Sequence, residues 1–249
     1  MAKKILIVPA AGKGTRLGSS APKIFTKIDG DETVFDYIIN EAVEVFDEIR
    51  LILSPEGQLY VKRHGISIPD NIYILVQEVP TGMFDAIDIA ISELLNSNKN
   101  ERIVIQWGDQ PLINKELYRS LIKDLELFDA AIPLIWVRRP YVQFKFSQKK
   151  LKILESREGD QCDDVGFKDI GLFSFDKKKL SEVWGKYKSL DSAGNVTNEK
   201  SFLKILEYFS NNFNIHWNLN QPNFRGLGIN TQNELEEVKK LLLNFKYLK

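Results

Sequence analysis

The feature that most constrains this chain lies at its start. Ile5-Leu6-Ile7-Val8 is apolar at every position and runs directly into Pro9-Ala10-Ala11-Gly12-Lys13-Gly14-Thr15-Arg16-Leu17-Gly18, with Pro22-Lys23 just beyond. A half-buried strand alternates apolar and polar residues, so an unbroken apolar run of strand length marks a strand covered on both faces, as in a parallel sheet wrapped by helices. Ligands of open α/β sheets bind at the carboxyl ends of such strands, where this loop begins. Two glycines one residue apart permit torsions and close approaches that a side chain would block, which leaves backbone N–H groups to point at phosphate oxygens. Thr15, Arg16 and Lys23 add a hydroxyl and two positive charges. The combination suits a triphosphate.

Two familiar phosphate loops do not fit. Counting from Gly12, Leu17-Gly18 stands where the Walker sequence requires Gly-Lys. The dinucleotide fingerprint needs a third glycine where this chain has Leu17, and no acidic ribose ligand stands out.

The rest of the N-terminal half supports the parallel sheet. Strands are expected at Lys4–Pro9, Ile49–Ser54, Ile72–Gln77 and Arg102–Trp107, with helical periodicity across Thr33–Asp47 and Ala86–Leu95. Beyond about residue 125, short strands at Ala130–Val137, Val142–Phe146, Leu151–Glu155 and Phe167–Phe175 suggest a more antiparallel region. Helices follow near Lys177–Lys186, Glu199–Ser210 and Thr231–Phe245, the last with Leu235, Val238, Leu241, Leu242 and Phe245 on one stripe. The expected fold is a doubly wound, mixed but mainly parallel sheet with a small antiparallel sub-region. No Pro/Gly/Ser-rich linker interrupts residues 1–249, so a single domain is expected.

Composition narrows the partners. Lys+Arg and Asp+Glu both number 34, which excludes a surface coated to grip nucleic acid or anionic lipid. The charge is nevertheless uneven: residues 1–28 carry Lys3, Lys4, Lys13, Arg16, Lys23 and Lys27 with no Asp or Glu, a local setting for one small polyanion. Trp107, Trp136, Trp184 and Trp217 form no pattern for stacking single-stranded nucleic acid. The lone Cys162 excludes an intrachain disulfide framework; beside Asp160, Asp163 and Asp164 it is an inert thiol rather than a nucleophile. His64 and His216 lie in no motif. No run is long enough to span a bilayer and no signal peptide precedes the first strand, so a cytoplasmic protein without a membrane partner is expected.

The loop PAAGKGTRLG followed by PK resembles the signature of nucleotidyltransferases that activate sugar 1-phosphates, and is especially similar to the uridylyltransferase domain that makes UDP-N-acetylglucosamine. Further segments fall in that family's order: Gln77…Pro80-Thr81-Gly82, Trp107-Gly108-Asp109-Gln110-Pro111-Leu112, Ile153-Leu154-Glu155, Asp169-Ile170-Gly171 and Gly228-Ile229-Asn230. The resemblance implies a nucleotidyltransferase converting a nucleoside triphosphate and a sugar 1-phosphate into a nucleotide sugar and pyrophosphate, with Mg2+ as cofactor. It implies catalytic roles for Arg16 on the leaving β/γ-phosphates and Lys23 on the α-phosphate. Nucleotide binding falls to Ala10, Ala11, Gly12, Lys13, Gly14, Thr15, Gln77, Gly82, Gly108 and Asp109, and acceptor binding to Glu155 and Asp169. Magnesium would be held by Asp109 and Asn230, a set that suffices because Mg2+ takes only one or two protein oxygens besides waters and phosphates.

Simpler roles compete at several positions. Asp109 sits in a sequence of turn composition, Gln77 and Glu155 could be exposed strand ends, and Asn230 could be the N-cap of the last helix. One departure bears on the acceptor: the N-acetylglucosamine enzymes have Asn where this chain has Asp169, and an ionised Asp only accepts hydrogen bonds. The Gly194–Glu199 stretch also lacks that subfamily's aromatic pair and acidic residue. A neutral hexose, an amino sugar or a non-sugar phosphate is therefore open as acceptor. The rival readings are a cytidylyltransferase acting on a polyol or isoprenoid phosphate, and a nucleotide-binding regulatory protein without turnover.

Overall fold

The computed structural model describes residues 2–12, 14, 17–18, 21–97, 99–147, 150–190 and 193–247, without the side chains of 245–247. Lys13, Thr15 and Arg16 therefore lie outside the described residues. In chain order the elements are β1 (Lys3–Pro9), β2 (Lys27–Asp29), β3 (Glu32–Thr33), α1 (Val34–Ala42), β4 (Glu48–Leu53), α2 (Pro55–His64), β5 (Ile72–Val76), α3 (Met83–Leu95) and β6 (Glu101–Gln106). They continue with α4 (Lys115–Asp124), β7 (Ala130–Arg138), β8 (Val142–Ser147), β9 (Lys150–Glu155), β10 (Val165–Asp169), β11 (Leu172–Asp176), α5 (Lys177–Lys188), α6 (Ile205–Asn212), β12 (Ile215–Asn218) and α7 (Gln232–Tyr247). Among the described residues no helix is long and apolar enough to cross a membrane.

The apolar run at the start of the chain becomes the centre of the sheet. β1 pairs in parallel with β4 on one side and β6 on the other. Leu6 and Val8 face a core formed with α1, α2, α4 and α7, whereas Ile5 and Ile7 face a second core formed with α3, α5 and α6. All four side chains are fully buried, which is why no polar residue interrupts the run. The strand order is β5-β4-β1-β6-β11-β7-β10-β8-β9, with β12 alongside β7. From β1 the chain winds outward through β4 to β5, then crosses back along the opposite face by α3 to β6. That reversal opens a crevice at the carboxyl ends of β1 and β6, the position where doubly wound sheets bind ligands.

The structure changes three expectations about elements. Helix α1 stops at Ala42 rather than Asp47, although the apolar stripe continues; Val45 and Phe46 are buried from a turn, which a helical pattern in sequence cannot distinguish. The helix expected from Glu199 begins only at Ile205, because Lys200 forms a bridge with Ala193 and its Nζ donates to the carbonyls of Tyr187, Lys188 and Leu190 at the end of α5. The strand expected across Phe167–Phe175 is two strands broken at Ile170-Gly171. Gly171 has φ +74°, and the break lets β11 pair antiparallel with β6, at the edge of the parallel strands, while β10 pairs with β8 in the antiparallel sub-region. In α7, Leu235, Val238, Leu241 and Leu242 pack on the core as expected; Phe245 lies outside the described side chains.

Candidate active site

The loop after β1 is drawn against the loop after β6 by backbone contacts. The Gly108 amide donates to the Pro9 carbonyl at 3.3 Å, and on the other side the Ala10 amide donates to the Ile52 carbonyl of β4 at 2.8 Å. A Cβ on Gly108 would stand 2.9 Å from the Ala10 Cβ and 3.0 Å from the Pro9 oxygen, so this approach requires glycine. Ala10 is buried, Ala11 half-buried, and Gly12 exposed, with nothing within 4 Å of where a Cβ would stand. Gly14 adopts φ +64° against the backbone of Lys23. A cleft of about 120 Å³ lies between the two loops, lined by Ala10, Gly12, Lys23, Met83, Trp107 and Asp109 among others.

Lys23 and Asp109, which line this cleft, meet Asn230 beside it, from three distant parts of the chain. Lys23 opens a single helical turn, Lys23–Phe25, pinned by the buried side chains of Ile24 and Phe25. Its Nζ donates to Asp109 Oδ2 at 2.5 Å and to Asn230 Oδ1 at 2.7 Å. The Ile229 amide donates to the Asp109 carbonyl at 3.0 Å, which sets Asn230 beside Asp109. The cap of α7 is not Asn230: Glu234 N donates to Thr231 Oγ1, and Glu234 Oε2 accepts from the Asn230 amide and the Thr231 hydroxyl. Thr231 thus takes the capping role and leaves the Asn230 side chain to accept from Lys23. Asp109 is a cleft residue within its turn, and its Oδ1 is buried with no partner among the described residues.

These groups bear on the expected metal. A hard divalent cation takes oxygen ligands, and the carboxylate and amide oxygens here supply two, one beside a buried oxygen without a partner. No group of three or more His, Cys, Asp or Glu suited to a metal occurs among the described residues. The donors therefore fit magnesium completed by substrate oxygens and water, rather than an all-protein cage.

Sequence reasoning missed the groups that brace the Asp109 turn. Gln106, fully buried at the end of β6, donates from Nε2 to the Gln110 carbonyl at 2.9 Å and accepts from the Tyr118 hydroxyl. Burial raises the Tyr118 pKa above its ordinary value, so the hydroxyl keeps its proton for that bond. The Trp107 amide donates to the Gly171 carbonyl at 2.8 Å, and its ring packs on Phe173 and Phe202. A buried Gln inside an apolar strand was the available signal, because such an amide must be hydrogen-bonded.

Gln77 is 4% exposed, not an open strand end. Its Nε2 donates to the Gly82 carbonyl at 3.1 Å and to Thr81 Oγ1 at 3.4 Å, so its donor end shapes its own segment. Gly82 has φ +113° and precedes α3; a Cβ there would lie 3.1 Å from Glu199. An open cavity of about 550 Å³ separates Pro80 and Thr81 from residues 197–200.

Glu155 is also buried, at 2% exposure, with Oε2 3.3 Å from Arg157 Nε and Oε1 without a partner among the described residues. Asp169 is 6% exposed and its Oδ1 accepts from the Gly171 amide at 2.7 Å, which holds the break between β10 and β11. Burial pushes its carboxyl above the ordinary range, and the charge of Glu155 adds to that, against Lys168 and the backbone bond. Burial thus disfavours the ionised form of Asp169, whose Oδ1 already accepts from the Gly171 amide. Glu158 binds residues 193–200 to this region through the Val196 and Thr197 amides and the Thr197 hydroxyl. For Cys162, burial and then Asp160 raise the thiol pKa, in keeping with an inert side chain.

Comparison with known proteins gives concordant results. The family described as a MobA-like NTP transferase domain matches residues 6–164. A bifunctional protein GlmU from Caldicellulosiruptor saccharolyticus is 26% identical over 261 aligned positions, covering 99% of this chain and 54% of that protein. The GlmU of Buchnera aphidicola subsp. Schizaphis graminum is 29% identical over 183 positions, 72% of this chain and 35% of that protein. The chain thus spans about half the length, or less, of these curated relatives. Among solved structures, a putative glucose-1-phosphate thymidylyltransferase from Bacillus anthracis superposes with TM-score 0.71 at 17% identity, over 97% of this chain and 95% of the other. The 4-diphosphocytidyl-2C-methyl-D-erythritol synthase of Anaerococcus prevotii gives TM-score 0.65 at 17% identity, over 97% and 99%. At that identity the two structures speak for the fold. The family match runs from β1 through the glycine loop and the Asp109 turn to the residue before β10, and by it this chain belongs to the MobA-like NTP transferase family of nucleotidyltransferases.

Proposed function

We propose that this chain, acting as one domain, transfers a nucleotidyl group from a nucleoside triphosphate, with a pyrimidine base, to a sugar 1-phosphate or a similar phosphorylated acceptor, releasing pyrophosphate. The observation that carries the reading is the convergence of Lys23, Asp109 and Asn230 beside the glycine loop. The acceptor phosphate is already anionic, so the reaction needs no strong general base; it needs alignment and charge stabilisation at the α-phosphorus. The amides around Gly12 and Gly14 hold phosphate oxygens, Lys23 carries the positive charge for the α-phosphate, and Arg16 meets the leaving phosphates. Asp109 and Asn230 would hold magnesium, which when bound neutralises charge on the phosphates. Lys23 bridges those same two oxygens, so its ammonium and the metal compete for them.

The test is a matrix of nucleoside triphosphates against phosphorylated sugars and alcohols, read as pyrophosphate release with and without Mg2+. The expected outcome is magnesium-dependent release with a pyrimidine nucleotide, abolished in a folded Asp109→Ala protein. Near-normal turnover of that variant would remove Asp109 from the machinery. Absence of release with every pair would refute the transferase reading and favour a nucleotide-binding regulator.

A further inference from the structure

Beneath the Asp109 turn a chain of hydrogen bonds arrives from α4 through the core. Gln106 and Tyr118, its two side chains, are fully buried. The Tyr118 hydroxyl donates to Gln106 Oε1, and Gln106 Nε2 donates to the Gln110 carbonyl at 2.9 Å. The Gln110 amide in turn donates to the Trp107 carbonyl at 3.2 Å, which closes the turn that carries Asp109. The helical end of the chain is itself fixed. The Tyr118 ring packs edge-on against Phe46 at 5.1 Å between ring centres, and the Lys115 amide at the start of α4 donates to Glu41 at 2.8 Å.

Gln110, where this chain of bonds ends, also touches the loop that carries Asn230. A Cβ on Gly228 would stand 2.8 Å from Gln110 Nε2 and 3.4 Å from Asp109 Oδ1, and one on Gly171 would stand 2.9 Å from Gln110 Cγ. From Gly228 the chain passes to Ile229, whose amide holds the Asp109 carbonyl, and then to Asn230. A shift of the Gln110 backbone would therefore turn Asp109 and press on the loop of its neighbour. The Asp109 carboxylate has, among the described residues, Lys23 as its hydrogen-bond partner on Oδ2 and none on Oδ1. Its direction is left to the turn beneath it.

Stability alone does not call for a Tyr118–Gln106 bond in the core. Exchanging both partners of a buried hydrogen bond for apolar groups is nearly neutral, whereas a fully bonded buried network fixes geometry. Removing a group that orients a metal-binding carboxylate typically lowers metal affinity or activity by about 10- to 100-fold. Resting on the transferase reading above, we infer that Gln106 and Tyr118 are positioning residues, which hold the Asp109 carboxylate, through the Gln110 carbonyl, in the direction that its metal role requires. Both act through the turn, from outside the cleft.

The experiment compares Tyr118→Phe, Gln106→Leu and the double variant with wild type. It reads kcat and KM at saturating Mg2+, Mn2+ binding to the nucleotide-free protein by electron paramagnetic resonance, and chemical unfolding. Each single variant should lower kcat and weaken Mn2+ binding about tenfold or more, with KM for the nucleotide changed less than about threefold. The double variant leaves one orphaned polar atom fewer than Gln106→Leu, so it should be at least as stable yet no more active. Asn71→Ala is the control: Asn71 Nδ2 braces another turn, through the Phe46 carbonyl at 3.0 Å, just before β5 at the opposite end of the sheet, and its loss should lower stability with kcat unchanged. Tyr118→Phe alone carries the comparison if Gln106→Leu does not fold. Kinetics and Mn2+ affinity within about twofold of wild type in folded Tyr118→Phe, or activity that returns with stability in the double variant, overturns the inference and leaves the transferase reading intact. Absence of pyrophosphate from wild type with every acceptor and nucleotide overturns the transferase reading instead; the positioning role then stands if Tyr118→Phe weakens Mn2+ binding and falls if that binding is unchanged.

Discussion

Replacing Gly171 with alanine should destabilise the fold by about 2–5 kcal/mol, from two separable sources. The backbone there has φ +74°, a left-handed conformation that costs an L side chain roughly 1–2 kcal/mol. A Cβ would also stand 2.6 Å from Trp107 Cδ1 and 2.9 Å from Gln110 Cγ. Neither neighbour can yield freely. The Trp107 ring is held between Phe173 and Phe202, and Gln110 is fixed through its carbonyl to Gln106, so the overlap behaves as overpacking worth about 1–3 kcal/mol. For a chain of this size the sum lowers Tm by about 4–20 °C. Gly65→Ala is the matched control: Gly65 has φ +58° at the end of α2, but nothing lies within 4 Å of the added Cβ, so only the torsional cost applies. The measurement is chemical unfolding of wild type and both variants, followed by tryptophan fluorescence. Equal destabilisation by the two substitutions would refute the steric argument, and a loss below about 0.5 kcal/mol at Gly171 would refute both parts.

Two further outcomes follow from single groups. Lys23→Met removes the ammonium that bridges Asp109 and Asn230, and should tighten Mn2+ binding, read by electron paramagnetic resonance of the free ion, by about 10- to 100-fold, the worth of one charge-assisted hydrogen bond; unchanged or weaker binding would show that Lys23 does not compete for those oxygens. Asp169→Asn concerns pH. Burial raises the Asp169 carboxyl above its ordinary 3.8, so ionising it costs the folded state stability that is lost as pH rises from the unfolded value through the folded one. Asn keeps an oxygen for the Gly171 amide without that cost. The variant should therefore be more stable than wild type at about pH 7 and lose its advantage near or below about pH 4, in denaturant titrations at each pH; a pH-independent difference would dissociate the effect from ionisation.

Much of the architecture was legible because it is written in local pattern. The all-apolar Ile5–Val8 run identified the central strand, and the helical stripe in Thr33–Asp47 identified α1 but overran its end by five residues. Where the pattern failed, tertiary contacts overrode it. Val45 and Phe46 fill the core from a turn, and Lys200 leaves the expected helix to cap α5. The break at Ile170-Gly171 was hidden because both halves are strand-like; the left-handed Gly171 and the outer partners, β8 for β10 and β6 for β11, separate them.

The site divides in the same way. Its residue types could be chosen from sequence, since a glycine loop at a strand end, a lysine and one carboxylate suffice to suggest phosphate and magnesium. That Glu155 and Gln77 are buried and that Thr231 rather than Asn230 caps α7 required the packed structure. By itself the sequence determined a two-sided parallel sheet and an anion loop at the end of its central strand, because burial pattern and backbone freedom depend on near neighbours. Only the tertiary structure decided that Lys23 meets Asn230 across 207 positions of chain, because such a contact is set by strand order and by how the loops at the crevice pack, not by any pattern either segment carries alone.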